Sequence, residues 1–166
     1  AELAPREVAP ADLAGRLDLR GKTVITIDGA SSKDFDDAVS LERDARGRWV
    51  LGVHIADVSH YVAEGSPLDL EARNRGTSVY FADQVVPMLP PELSNGICSL
   101  NPHVDRLALS CILTMGPDGA VLDHRLVKSV IRSTERMTYG DCNTLLAGLD
   151  PELEAKYAHI LPMLRD

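Results

Sequence analysis

Four aspartates fall within ten residues of one another, and their type and spacing could support metal chemistry: Asp28, Asp34, Asp36 and Asp37. The first follows the β-branched run Thr23–Ile27, a pattern that predicts a strand. Gly29 permits a tight backbone turn after that strand, so the four carboxylates can converge. Converging carboxylates cannot all stay ionised alone, because like charges raise one another's pKa and each loses hydration. A divalent cation would supply the missing counter-charge.

The identity of the ligands narrows the choice of metal. Carboxylate oxygens are hard ligands, and no His or Cys lies among these aspartates, which favours Mg²⁺, or Mn²⁺, over Zn²⁺. In phosphodiester hydrolysis such ions polarise phosphoryl oxygens, generate hydroxide from bound water and stabilise the leaving oxygen. The residues therefore suit a metal-dependent phosphoester hydrolase.

Two simpler interpretations of the acidic segment stay open at this point. It could be a solvated loop between two strands, although a charge at the end of a buried strand is costly unless something pairs with it. It could also bind Ca²⁺, although the EF-hand order, with glycine sixth and glutamate twelfth, is absent.

Bulk properties limit the class of protein. The 166 residues are 45% hydrophobic, enough for one domain with its own core, and the net charge of −8 argues against a simple RNA-binding module. Acidic residues at a metal site would contribute to that charge.

Apolar runs fall short of the roughly 20 residues of a membrane span, and no signal peptide is visible. We expect a cytoplasmic protein without membrane association, whose three cysteines stay reduced.

Turn and capping signals predict the elements that position the aspartates. Residues 1–19 form a leading segment, and we expect the ordered core to begin near Lys22. The predicted elements are a hairpin of 38–43 and 49–56, a helix over 67–75, a second hairpin of 107–115 and 120–132, and two final helices starting at Thr138 and Asp150. The last helix runs to Leu164 and ends uncapped, which suggests a truncated chain. The expected fold class is mixed α/β: a strand-rich mixed sheet with flanking helices.

Several segments carry a family resemblance. Thr26–Asp28 with Lys33–Ala38 resembles the signature of the RNB catalytic domain of the ribonuclease II and ribonuclease R family. Four more segments match that family in the same order: Val53–Ser59, Arg73–Phe81, Pro87–Pro90 and Leu93–Pro102. The resemblance covers residues from about Asp18 onward, and Gly76–Phe81 and Ser99–Asp105 are closer to the ribonuclease R branch.

The resemblance implies a hydrolytic exoribonuclease that degrades single-stranded RNA from its 3′ end, releases nucleoside 5′-monophosphates and uses Mg²⁺. At the matching positions, Asp28, Asp34 and Asp37 would hold the metal. Asp36 would be the carboxylate most closely tied to the chemical step, with Asp34 as a second catalytic residue. The spacing independently predicts different roles for Asp36 and Asp37, because the side chains of adjacent residues in an extended chain point to opposite sides.

The resemblance also gives Tyr80 a role, contact with the terminal nucleotide of the RNA. An aromatic face suits a sequence-tolerant enzyme because every base can stack on it. From the residues alone, a strand tyrosine packed in the core is the simpler interpretation. The histidines His54 and His60 lack a second nitrogen or sulfur ligand at metal spacing, so we expect them to pack or form hydrogen bonds.

The resemblance also indicates what lies outside these residues. The family's catalytic domain is about twice this length, so residues 20–166 are interpreted as its N-terminal part, without its arginine-containing segment or the flanking OB-fold domains. The sequence does not predict activity for the isolated piece, and no obligate protein partner is evident. Two rival functions remain: a non-catalytic RNA-binding or regulatory module with the same fold, and a metal-dependent hydrolase of another phosphoester.

Overall fold

The computed structural model describes residues 5–166 and arranges them around a mixed β-sheet. The strands are β1 (Leu17–Asp18), β2 (Ile25–Asp28), β3 (Asp37–Arg43), β4 (Trp49–Ala56), β5 (Val79–Tyr80), β6 (Val85–Val86), β7 (Asp105–Met115), β8 (Val121–Arg132) and β9 (Glu135–Thr138). The helices are α1 (Pro67–Arg75), α2 (Tyr139–Ala147), α3 (Pro151–Lys156) and α4 (Leu161–Arg165), with short helical turns at Pro10–Leu13, Val58–His60 and Glu92–Ile97.

Seven strands form the main sheet, in the order β1-β8-β7-β4-β3-β2-β9, while β5 and β6 pair as a separate ribbon. The outermost pairs, β1 with β8 and β2 with β9, are parallel, and all pairs between them are antiparallel. The predicted strand-rich mixed sheet with flanking helices is therefore confirmed. The β2–β9 pair joins segments more than a hundred residues apart, a contact that local sequence patterns do not reveal.

Both predicted hairpins are present. β3 and β4 pair in register from Asp37 opposite Ile55 to Arg43 opposite Trp49, and the turn between them contains Gly47 at φ 76°. β7 and β8 form the longer hairpin, whose turn contains Gly119 at φ 80°. Glycine suits both turns because it adopts positive φ without a steric penalty.

The two faces of the sheet carry different packing layers. On one face Val24, Ala38 and Ile131 pack with Phe35 and Leu100, which come from connecting loops. On the other face Ile25 and Met137 pack beneath the C-terminal helices, among them buried residues Leu145 and Ile160. The loop that contains the aspartates thus contributes Phe35 to the first layer.

α1 spans the predicted residues, and its ends explain its length. The Ser66 hydroxyl accepts a hydrogen bond from the Asp69 N–H, Pro67 occupies the first helical position, and Gly76 ends the helix at φ 73°. Among its nine residues only Ala72 is buried, so the helix lies on the surface.

The C-terminal region differs from the prediction of two helices. α2 is capped by Thr138, which accepts from Asp141 N–H, and α3 by Asp150, as expected. The single helix predicted from Asp150 to Leu164 is wrong, because α3 ends at Lys156 and α4 begins at Leu161. Pro162 explains the break: it has no N–H to donate to the preceding turn, and its ring collides with a carbonyl there.

Ordered structure also begins earlier than Lys22, so the expected start of the core is wrong. Leu17 in β1 lies opposite Ser129 in β8. The Arg16 guanidinium donates to the Asp57 carboxylate at 2.6 Å, with both side chains 4% exposed. A buried ion pair and a parallel strand pair are long-range contacts that the composition of the leading segment did not signal. The first four residues of that segment lie outside the described residues.

Within residues 5–166, no helix combines the length and apolar character needed to cross a membrane.

Candidate metal centre

The first and last of the four aspartates lie at the ends of neighbouring strands. β2 ends at Asp28 and β3 begins at Asp37, and the two strands run antiparallel with Ile25 opposite Val39. Both carboxylates are therefore at the same end of the sheet, and the intervening segment 29–36 forms a loop there, here termed the acidic loop. The sheet itself thus brings the first and last aspartates together.

Two hydrogen bonds to one serine fix the middle of the acidic loop. The Ser99 hydroxyl accepts from the Phe35 N–H at 3.0 Å and donates to the Lys33 carbonyl at 3.1 Å. The Leu100 N–H donates to the Phe35 carbonyl at 2.8 Å. Because Ser99 and Leu100 are fully buried, this part of the loop is attached to the core.

An arginine holds the start of the loop. Arg136 lies on β9 opposite Thr26 of β2, and its Nη2 donates to the carbonyls of Gly29 and Ala30, each at 2.9 Å. Its guanidinium carbon lies 5.4 Å from the centroid of the Phe35 ring. The turn directly after Asp28 is thereby fixed by a side chain from the neighbouring strand.

The alternation of the chain around Phe35 directs the remaining carboxylates outward. Phe35 is 5% exposed and packs into the core, whereas the adjacent Asp34 is half-buried and Asp36 is exposed. The Asp36 carbonyl accepts from the Ala56 N–H at 2.9 Å, so its backbone continues the pairing of β3 with β4. The anchoring of Phe35 and Asp36 therefore sets the positions of three carboxylates.

The carboxylates act on one another electrostatically. Although the Asp36 residue is exposed overall, partial loss of hydration at its carboxylate raises the pKa of Asp36, and the negative charges of Asp34, Asp37 and Asp28 raise that pKa further. Burial also raises the pKa of Asp28, with Asp37 the next contributor. The positive charge of Arg136 lowers the pKa of Asp28 but does not offset these effects, so protonation is favoured, and a bound cation would supply further compensation.

A buried, unpaired oxygen supports a metal at this place. Asp28 Oδ2 is inaccessible to water and has no hydrogen-bond partner among residues 5–166. Leaving such a group unsatisfied costs about 1–3 kcal/mol. With hard oxygen donors from four aspartates around it, the donor set fits Mg²⁺ or Mn²⁺.

The side chains do not, however, converge fully. Across residues 5–166, no three His, Cys, Asp or Glu side chains approach closely enough to hold a metal ion together. The structure thus places Asp28, Asp34, Asp36 and Asp37 at one end of the sheet and couples them electrostatically, but their carboxylates do not adopt a ligating arrangement.

Tyr80 joins the acidic loop from a distant part of the chain. It lies on β5, and its hydroxyl donates to Asp34 Oδ2 at 3.0 Å. This hydrogen bond to a carboxylate raises the pKa of Tyr80, because it stabilises the protonated phenol. The side chain is 65% exposed, so the interpretation of Tyr80 as a core residue is wrong.

Of three further residues with structural roles, the sequence patterns predicted one, His54, and missed two. Arg136 and Ser99 hold the acidic loop, yet neither was predicted, because their contacts depend on pairing with distant segments. His54 is fully buried between the hydroxyls of Ser110 (2.7 Å) and Ser40 (3.0 Å), which confirms the expected hydrogen-bonding role.

Comparison with known proteins identifies the family. The family model described as RNB domain matches residues 16–165. Ribonuclease R 1 from Lactococcus lactis is 54% identical over 160 residues, which are 96% of this chain and 20% of that protein. Ribonuclease R from Thermotoga maritima is 53% identical over 153 residues, which are 92% of this chain and 21% of that protein.

A solved structure shares the fold. The structure described as Mycoplasma genitalium RNase R in complex with double-stranded RNA superposes with a TM-score of 0.82 at 34% identity, covering 95% of this chain and 30% of that one. The chain spans about a fifth of the length of the curated relatives it matches. The resemblance seen in the sequence is thus confirmed, including its closeness to ribonucleases R, and the chain belongs to the RNB domain family.

Proposed function

We propose that this chain is part of the catalytic domain of a hydrolytic exoribonuclease, which degrades single-stranded RNA from its 3′ end and releases nucleoside 5′-monophosphates. Membership of the RNB family and the similarity to ribonucleases R support this proposal. The observation that carries it is the buried, unpaired oxygen of Asp28 beside three further aspartates at the end of the sheet. Such a donor set suits the metal chemistry of phosphodiester cleavage.

In this proposal Asp28, Asp34 and Asp37 hold Mg²⁺, or Mn²⁺ in its place. A metal held by these residues would supply polarisation of the scissile phosphate and a bound water of lowered pKa. The chain's own contribution is to fix the ligands, since Arg136 and Ser99 hold the backbone on either side of Ser32. Asp28 and Asp37 are additionally fixed by the strands that they end and begin.

Asp36 is the proposed residue of the chemical step, and Asp34 assists it. The raised pKa of Asp36 makes its carboxylate more ready to accept a proton, as a base that activates water must. Asp34 accepts the hydrogen bond of Tyr80 and so connects the catalytic carboxylates to the residue proposed to contact the RNA. Tyr80, exposed beside the loop, would stack on the nucleotide at the 3′ end.

The direct test is Asp36→Asn in the full-length protein. We expect it to abolish release of nucleoside monophosphates from a single-stranded RNA while affinity for that RNA stays near wild type, because asparagine keeps the shape but cannot take up the proton. Product analysis by chromatography and binding by fluorescence anisotropy measure the two quantities. Asp44→Asn is the matched control, because Asp44 lies in the β3–β4 turn, paired with Arg48. Retained turnover in the Asp36 variant would remove Asp36 from the mechanism.

A second candidate is a non-catalytic RNA-binding module with this fold. The incomplete convergence of the carboxylates in residues 5–166 favours it. It predicts RNA binding by the wild-type protein that needs no Mg²⁺ and leads to no hydrolysis. Parallel assays on single-stranded RNA, single-stranded DNA and nucleotides also separate the exoribonuclease from a hydrolase of another phosphoester.

We propose the cytoplasm as the compartment of this activity. The cysteines Cys98, Cys111 and Cys142 are free thiols, with two of them buried, which suits a reducing environment.

A further inference from the structure

A surface depression of 540 Å³ lies directly beside the acidic loop. Three separate segments form it: the loop through Ser32 and Lys33, the region after α1 through Asn95 and Asn101, and β9 through Arg136. Phe35 forms part of its wall. The volume is sufficient for a nucleotide-sized group.

Arg136 is held firmly and still has free donors. Its Nη2 is occupied by the Gly29 and Ala30 carbonyls. Nη1 makes no hydrogen bond within residues 5–166 and is not fully buried, whereas Nε is buried and also lacks a hydrogen-bond partner there. An arginine whose orientation is already fixed loses little freedom when it binds an anion.

Lys33 and Asn95, which lie on two other segments of the wall, add two further hydrogen-bond donor groups. Lys33 is exposed and forms no ion pair in the part of the chain that the structure describes. The Asn95 side chain uses its Oδ1 to accept from the Ser94 hydroxyl, which leaves its amide N–H groups free among the described residues. The three donor groups are thus available without breaking any existing contact.

Two cations at the depression form no ion pair with Asp or Glu among the described residues. The net charge is −8, and seven of the lysines and arginines pair with Asp or Glu. Lys33 and Arg136 are not among those seven. Two cations without a direct ion-pair partner among residues 5–166 therefore line one depression, next to four aspartates that would repel an approaching anion, and the charge of Arg136 also acts on Asp28.

We propose that this depression binds a phosphodiester of the RNA other than the one being cleaved, through Lys33, Arg136 and the Asn95 amide. The inference rests on the proposed function, because it assigns a second contact to the same substrate. The cations hold the chain by its phosphate, and the remaining volume of the depression accommodates the adjoining ribose. The contact reads no base, as a sequence-tolerant enzyme requires.

The test uses the full-length protein with Asp36→Asn in every sample, so that bound RNA stays intact. Lys33→Ala should weaken binding of a single-stranded RNA about fivefold at moderate salt. It should also reduce the slope of log affinity against log salt by about 0.7, the value for one phosphate contact on a single strand. Lys33→Arg should restore both quantities. Asn95→Ala should weaken binding without changing the slope, because the amide carries no charge.

Lys128→Ala is the matched control, since it removes one exposed positive charge from β8, at the opposite side of the sheet. The proposal would be overturned if Lys33→Ala left the salt slope at its wild-type value. It would also be overturned if Lys128→Ala weakened RNA binding as much as Lys33→Ala does. RNAs in which one phosphodiester is replaced by a neutral methylphosphonate locate the contact. When the replaced linkage is the internal one that Lys33 contacts, Lys33→Ala should weaken RNA binding no further. The proposal would also be overturned if only a methylphosphonate at the 3′-terminal linkage removed the effect of Lys33→Ala. Binding of free nucleoside monophosphate that depends on Lys33 would overturn it as well.

The two proposals fail separately. If the protein without Asp36→Asn does not hydrolyse RNA, the proposed activity falls, while a reduced salt slope still supports the phosphate contact. If hydrolysis occurs but Lys33 leaves the slope unchanged, the contact falls and the activity stands.

Discussion

Tyr80 combines two properties that a residue at a substrate-binding surface needs. Its ring is exposed, and its hydroxyl is oriented by a 3.0 Å hydrogen bond to Asp34. A ring that is held at one edge keeps its face available to a base. The same hydrogen bond occupies one oxygen of a proposed metal ligand, so Tyr80 also influences how Asp34 is oriented.

Substitutions at Tyr80 separate the ring from the hydroxyl. Tyr80→Ala should lower affinity for a short single-stranded RNA by about 5- to 150-fold, because stacking on one base is worth about 1–3 kcal/mol. Tyr80→Phe should keep most of that affinity, since only the hydrogen bond to Asp34 is lost. Fluorescence anisotropy with a labelled oligonucleotide measures both.

Tyr139→Ala is the control for Tyr80, because Tyr139 is equally exposed, at 61%, but lies on α2. If Tyr80→Ala left the affinity for RNA and the end products unchanged, Tyr80 would have a structural role only.

The acidic loop depends on elements outside it. Asp34 and Asp36 lie within it and Asp28 and Asp37 flank it, but the backbone that presents these aspartates is held by Ser99, by Arg136 on β9 and by the pairing of Asp36 with β4. Like charges in a short loop repel one another and favour an open conformation. The attachments from neighbouring elements oppose that repulsion and hold the backbone of the loop in place.

Removal of the serine attachment tests this role. Ser99→Ala leaves the buried Phe35 N–H unpaired and should lower the free energy of unfolding by about 1–3 kcal/mol. Hydrogen exchange should accelerate in the peptide containing Phe35 more than in β7 or β8, because the loop loosens first.

Ser94→Ala serves as the control, since the Ser94 hydroxyl donates only to the side chain of its neighbour Asn95. Equal exchange rates in the Phe35 peptide of wild type and Ser99→Ala would show that the serine does not hold the loop.

At the scale of the whole molecule, polar side chains are buried between the central strands. His54 on β4 is fully buried and contacts Ser110 on β7 and Ser40 on β3, and Ser110 in turn contacts Ser129 on β8 at 2.6 Å. Gly52 makes room for this arrangement, because a Cβ there would lie 2.7 Å from His54 Nε2. Burial lowers the pKa of His54 to about 4.

The pH dependence of stability follows from that pKa. Between about pH 6.5 and 4 the unfolded state binds a proton at His54 that the folded state does not, so stability falls as the pH falls through this range. The maximum loss is about 3 kcal/mol. His54→Gln cannot titrate and should flatten the profile, which urea unfolding at a series of pH values would measure.

His124→Gln is the control, because His124 is exposed on β8 and its ring reaches water in the folded state. A profile of His54→Gln that is as steep as wild type would assign the pH dependence to other groups.

The sequence alone determined much of this protein, because the relevant signals are local. The β-hairpins, α1 with its Ser66 cap, the four aspartates and the family resemblance all depend on residues within a few positions of one another. Capping, turn geometry and side-chain alternation act over that distance, so the pattern is enough to predict them.

The tertiary structure alone decided how those parts meet. It placed β9 beside β2, brought Arg136 to the turn after Asp28, and put Tyr80 against Asp34, 46 residues away. It also showed that β1 joins the sheet and that Pro162 divides the last helix. Each of these contacts depends on which distant segments pack together, and that choice is made by the free energy of the entire folded chain rather than by local preference.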